Sequence, residues 1–142
     1  MTNWQTKWGG GDCMIGAVRP GLDHDKHHSC TDDAYFIDAY DGGLHGNGKR
    51  GADEQGNFAE GDRVGVLLDL DAGWLRFYRN SKRCGPGFTE GVTGPLVRAA
   101  QFTDAGQRLT VLPGAVAPEG AGAADEQWEP WPQPESESEA DY

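Results

Sequence analysis

An all-β domain, a sandwich or barrel of short antiparallel strands, is the fold class that this 142-residue sequence predicts. Three observations carry it. Glycine accounts for 22 residues and proline for 8, a composition that favours turns and penalises helix interiors. Apolar residues alternate with polar or small ones over 63–80, the period of a strand with one buried face. Strand-like runs recur at short spacing, punctuated by Gly, Asp and Asn, and no stretch shows helical periodicity.

About seven strands follow in chain order. Met14 to Val18 is a short apolar run between glycine-rich flanks. Tyr35 to Tyr40, the turn residues Asp41-Gly42-Gly43, and Leu44 to Asn47 read as a hairpin. The clearest hairpin lies at 63–80: Val64, Val66, Leu68 and Leu70 share one face, Asp71-Ala72-Gly73 forms a three-residue connection, and Leu75 and Phe77 resume the alternation. Val64, Val66, Leu68, Leu70, Leu75 and Phe77 are therefore the expected core. Leu96 to Phe102 and Arg108 to Leu112 flank a last turn at Asp104-Ala105-Gly106.

Composition changes abruptly after Leu112, which divides the chain into a domain over 1–112 and a tail over 113–142. The tail holds eight acids and no Lys or Arg, leaving 15 of the 23 acids against all 12 bases in 1–112. Its sparse apolar side chains do not offset a backbone ordering cost of roughly 1–2 kcal/mol per residue, so disorder is expected. The mixed charges of 1–112 form no basic stripe, which argues against nucleic-acid binding. No apolar run approaches the roughly 18 residues of a membrane-spanning helix, so no membrane role is expected.

Cys13, Cys30 and Cys84 form no C-x-x-C pair, and neither a disulfide framework nor a zinc ribbon is indicated. With no signal-peptide or transit-peptide character at Met1 to Gly10, a cytoplasmic or nuclear protein is expected.

Several motifs are weighed and set aside. Gly46-Asn-Gly-Lys-Arg-Gly51 satisfies G-x-G-x-x-G, and Gly43 to Lys49 begins like a phosphate loop. Phosphate binding needs a helix N-terminus behind the loop, and Ala52 to Gly56 offers none, so a glycine-rich loop between strands is the reading. His24, His27, His28 and Cys30, with Asp23, Asp25, Asp32 and Asp33 nearby, could ligate zinc. Structural zinc sites normally pair ligands from two separated segments, and the second pair is missing. A metal-binding protein using this loop is the alternative reading. Asp69-Leu-Asp71-Ala-Gly73 is turn chemistry, not a calcium loop. Ser29, Ser81, Ser136 and Ser138 lack a nucleophile motif, and no enzyme is expected. In the tail, Trp128-Glu-Pro-Trp131-Pro-Gln-Pro134 has the character of a polyproline docking peptide, and Ser136 and Ser138 stand in an acidic kinase context.

The run from Glu60 to Arg83, containing Gly-Asp-Arg-Val-Gly, Leu-Asp-Leu-Asp-Ala-Gly and Leu-Arg-Phe-Tyr-Arg-Asn, followed by Gly94-Pro-Leu-Val, resembles the SPRY domain family. Met14-Ile-Gly-Ala-Val and the hairpin at Tyr35 to Gly48 are similar to earlier strands of that family, and the likeness spans about 12–112. It implies a curved antiparallel β-sandwich that binds a protein or short peptide through loops at one end, as a monomer without cofactor or catalytic residues. By position, Asp23, His24, His27, His28, Asp32 and Asp33, with Gln101, Phe102 and Thr103, would border that surface. Three departures stand out. Only Trp4 and Trp8 precede Gly9, so the domain reads as lacking its first strand or strands, and a truncated, non-functional paralogue is a further alternative. Ser81 replaces the usual Gly of the Asn-Gly turn, which demands another turn type or backbone strain. These 142 residues show no RING, B-box, F-box or SOCS-box segment, so a ubiquitin-ligase role is not expected from the resemblance.

Overall fold

A computed structural model describes residues 2–8, 13–21, 34–39, 41–46, 49–52, 58, 61–102, 109–112 and 117–128. Among them are ten strands and no helix: β1 (Thr2–Trp8), β2 (Cys13–Val18), β3 (Ala34–Asp38), β4 (Leu44–Gly46), β5 (Lys49–Ala52), β6 (Arg63–Asp69), β7 (Trp74–Arg79), β8 (Lys82–Arg83), β9 (Val97–Phe102) and β10 (Leu109–Leu112). They form two five-stranded antiparallel sheets, ordered β10-β1-β6-β7-β8 and β5-β4-β3-β2-β9. Ile15, Ala17, Tyr35 and Ile37 of one sheet share a single core with Val64, Val66, Leu68, Leu75 and Phe77 of the other, as the alternation predicts. The edge of Tyr35 meets Phe88 at a ring-centroid distance of 5.3 Å and ties the sheets together.

Three strands escaped the sequence pattern. Thr2–Trp8, which the sequence left without a strand, runs between β6 and β10, with Trp4 opposite Val66 and Thr6 opposite Val64. Its polar composition carries no apolar alternation, so pairing on both sides defines it. Lys49, Arg50 and Gly51, read as loop, lie in β5, which pairs with β4 across a register shift. The third, β8, closes a two-residue turn at Asn80 and Ser81, with Arg79 opposite Lys82. Both turn residues adopt positive φ, 52° and 72°, the signature of a type I′ hairpin. The serine thus accepts the strained conformation that a glycine would take freely.

One expected core residue is not core. Leu70 is 43% exposed, because the strand stops a residue earlier. The Asp69 carboxylate accepts from the Ala72 N–H at 3.0 Å, and the Asp69 carbonyl accepts from the Gly73 N–H at 2.8 Å. This closes a four-residue turn in which Gly73 has φ 81° and turns Leu70 outward. At Gly16 the packing leaves no choice of residue: a Cβ there would lie 1.9 Å from the Tyr35 carbonyl oxygen.

Within the segment read as a disordered tail, 117–128 is placed against the sheet as a series of tight turns. Ala121 N–H donates to the Pro118 carbonyl and Glu126 N–H to the Ala123 carbonyl. The reason is a polar anchor, the Glu126 carboxylate held by Arg76 and Tyr78, that composition does not reveal.

Candidate functional site

The strand register decides which loops share an end of the sandwich. Val18 stands opposite both Ala34 and Val97, so the chain leaves β2, enters β3 and enters β9 at one end. The β6–β7 turn lies there too, because the Val92 N–H donates to the Gly73 carbonyl at 3.1 Å. Tyr35 braces this end. Its hydroxyl donates to the Gly91 carbonyl and accepts from the Thr93 N–H, each at 3.4 Å. The Arg19 guanidinium donates to the Thr93 carbonyl at 3.0 Å and to Thr93 Oγ1 at 2.6 Å, across 74 residues of sequence. On this braced frame Leu70 and Val97 are exposed, at 43% and 47%, beside exposed Thr93, Gly94 and Pro95. Leu70 packs along Gly94, where an added Cβ would meet its Cδ1 at 2.6 Å.

The sequence-predicted site residues fall into two groups. Asp23, His24, His27, His28, Asp32 and Asp33 lie outside the described residues, as does Cys30, but the chain leads into that segment from Gly21 and returns at Ala34, at the end just described. Gln101 and Phe102 stand opposite Met14 and Cys13, at the far end of β2; Thr103 lies outside the described residues. The strands therefore do not bring Gln101 and Phe102 to the end where the 22–33 segment is attached. Leu70, Arg19, Thr93 and Val97 were missed, since no local pattern says which loops meet.

At the opposite end, Asp38, Asp41 and His45 each offer a ligand atom, all within 4.8 Å of one another. Their grouping belongs to the β3–β4 turn: Asp41 Oδ1 accepts from the Gly43 N–H at 2.8 Å, and Asp38 Oδ2 lies 3.8 Å from His45 Nε2. These are not the loop residues of the metal alternative, which gains no support. Cys13 and Cys84 are buried, and burial pushes the Cys84 thiol up to about 12, so Cys84 is not poised as a nucleophile.

The outer face of β7–β8 carries a second constellation. Arg76 pairs with Glu126 at 2.8 Å and stacks over Trp74 at 4.3 Å. The same carboxylate oxygen accepts from the Tyr78 hydroxyl at 2.7 Å and from the Gly122 N–H at 3.2 Å. Arg76 also donates to the Ala123 carbonyl at 2.8 Å. Arg83 donates to the carbonyls of Glu126, Gly85 and Pro86. Burial, reinforced by the Glu126 hydrogen bond and charge, raises the Tyr78 phenol and holds it as a donor. Burial and the charge of Arg76 lower Arg83, an effect that Glu126 opposes.

Comparison with known proteins places this architecture. A sequence model of the SPRY domain matches residues 2–115. Among solved structures similar to the chain is the crystal structure of the SPRY domain of human HERC1, at TM-score 0.66 and 22% identity, covering 77% of this chain and 72% of that one. No curated protein sequence gives a significant match.

Proposed function

Because the chain belongs to the SPRY domain family, whose members are generally protein-interaction modules and not enzymes, we propose that it binds a short protein segment on the loop end built by 19–21, 70–73 and 89–97. The observation that carries the reading is the exposure of Leu70, in the β6–β7 turn, and of Val97, the first residue of β9, beside a 91–93 segment that Tyr35 and Arg19 hold in place. Exposed apolar side chains on a pre-ordered frame bind with little ordering cost, which is what a recognition surface needs. The chain leaves this edge at Gly21 and returns to it at Ala34; Asp23, His24, His27, His28, Asp32 and Asp33 lie between them, outside the described residues, and are proposed as partner contacts on the family likeness alone. Gln101 and Phe102, at the far end of β2, are not part of the proposed surface. The setting proposed is cytoplasmic or nuclear, where the buried thiols of Cys13 and Cys84 stay reduced.

Selection of a displayed peptide library against the full chain tests the proposal. Peptides enriched on the wild type should lose binding to a Leu70→Asp, Val97→Asp variant that melts like the wild type. Undiminished binding to that variant would move the site elsewhere.

A further inference from the structure

We infer that the outer face of β7–β8 is a binding site for an acidic, turn-forming peptide, which the chain fills with its own residues 117–128. The inference is independent of the loop-end reading. Three donors from the sheet and its hairpin converge on the strap: Arg76 and Tyr78 on the Glu126 carboxylate and Arg83 on the Glu126 carbonyl. The ion pair is largely shielded, with side-chain exposures of 10% for Arg76 and 14% for Glu126, a geometry in which charge-assisted hydrogen bonds are strong.

The asymmetry between site and strap identifies one as receptor and the other as ligand. Arg76 and Tyr78 are buried, whereas no residue of 117–128 is fully buried. Toward the sheet, 117–128 offers the main-chain carbonyls of Ala123 and Glu126 and one carboxylate. Its hold on the sheet is therefore polar and concentrated at residue 126, with no apolar core to make it permanent. A partner segment with a glutamate four residues after a glycine, as Glu126 follows Gly122, presents the same groups. The chemistry recognised is a carboxylate framed by backbone carbonyls, and the bound strap is the intramolecular competitor of such a segment.

The probe is a labelled synthetic peptide with the sequence of 117–128, measured by fluorescence anisotropy against the full chain. Glu126→Ala should free the strap, seen as faster amide exchange confined to 117–128 and its contacts on β7 and β8. The probe should then bind that variant about tenfold or more tightly than it binds the wild type, and a probe with Gln in place of its glutamate about tenfold or more weakly. Adding Tyr78→Phe, which keeps the ring and removes the donor, should weaken the probe while leaving the melt cooperative. Unchanged exchange in Glu126→Ala, equal probe binding to both chains, or equal binding of the Gln probe would each overturn the inference.

Discussion

Ser81→Gly should stabilise this protein, and Asn80→Gly, one residue away in the same turn, should destabilise it. Both residues lie in the left-handed region, at φ 72° and 52°. An L-residue other than glycine held there crowds its Cβ against a carbonyl at a cost of about 1–2 kcal/mol. Glycine's greater freedom in the unfolded chain cancels about 0.5–1 kcal/mol of the relief. The exposed Ser81 side chain has no hydrogen bond among those described that would be lost, so a gain of about 0.5–1 kcal/mol remains, or a rise in Tm of about 2–6 °C. Asn80 is different. Its side chain accepts from the Arg63 N–H at 2.9 Å and donates to Asp62 Oδ1 at 3.0 Å, and asparagine tolerates positive φ better than serine. Losing two hydrogen bonds worth about 0.5–1.5 kcal/mol each outweighs the smaller strain relief, for a net loss of about 1 kcal/mol. Urea unfolding followed by tryptophan fluorescence, fitted with a shared slope, reads both signs. A Ser81→Gly midpoint equal to or below that of the wild type would refute the reasoning.

Other outcomes follow from the same geometry. Gly16→Ala forces a methyl onto the Tyr35 carbonyl; separating β2 from β3 to admit it should cost about 3–5 kcal/mol, measured as a lost or strongly lowered thermal transition. Leu75→Ala should cost about 2–5 kcal/mol in denaturant titration, whereas the exposed Leu70→Ala should cost less than about 1 kcal/mol; equal costs would contradict the turn at Asp69–Gly73. Cys84 titrates near pH 9 when unfolded and near 12 when folded. Stability should therefore fall between those values as the unfolded thiol loses its proton, by up to about 1.4 kcal/mol per pH unit, and show little effect of this group below about pH 8. Comparing the pH dependence of unfolding in wild type and Cys84→Ala isolates the effect.

The alternation at 63–80 made the β6–β7 hairpin legible because burial of one strand face is written residue by residue: Val64, Val66, Leu68, Leu75 and Phe77 are all in the core. It failed at Leu70 because the strand ends on a local hydrogen bond, the Asp69 carboxylate to the Ala72 N–H, that overrides the pattern. Strand β1 was illegible for the opposite reason: its pairing with β6 and β10 supplies what its polar sequence lacks.

By itself the sequence determined the all-β class, the main hairpins, the buried alternation and the likeness to the SPRY family, because each rests on residues within one or two strands of one another. The tertiary structure decided the rest. Only the register of β2 with β3 and β9 shows which loops share an end, and so separates Gln101 and Phe102 from the segment after Gly21. Likewise, only folding distinguishes Glu126 from the other seven acids that follow Leu112, by setting it against Arg76 across 50 residues of chain. A carboxylate's partner is a matter of distance in space, and sequence records distance only along the chain.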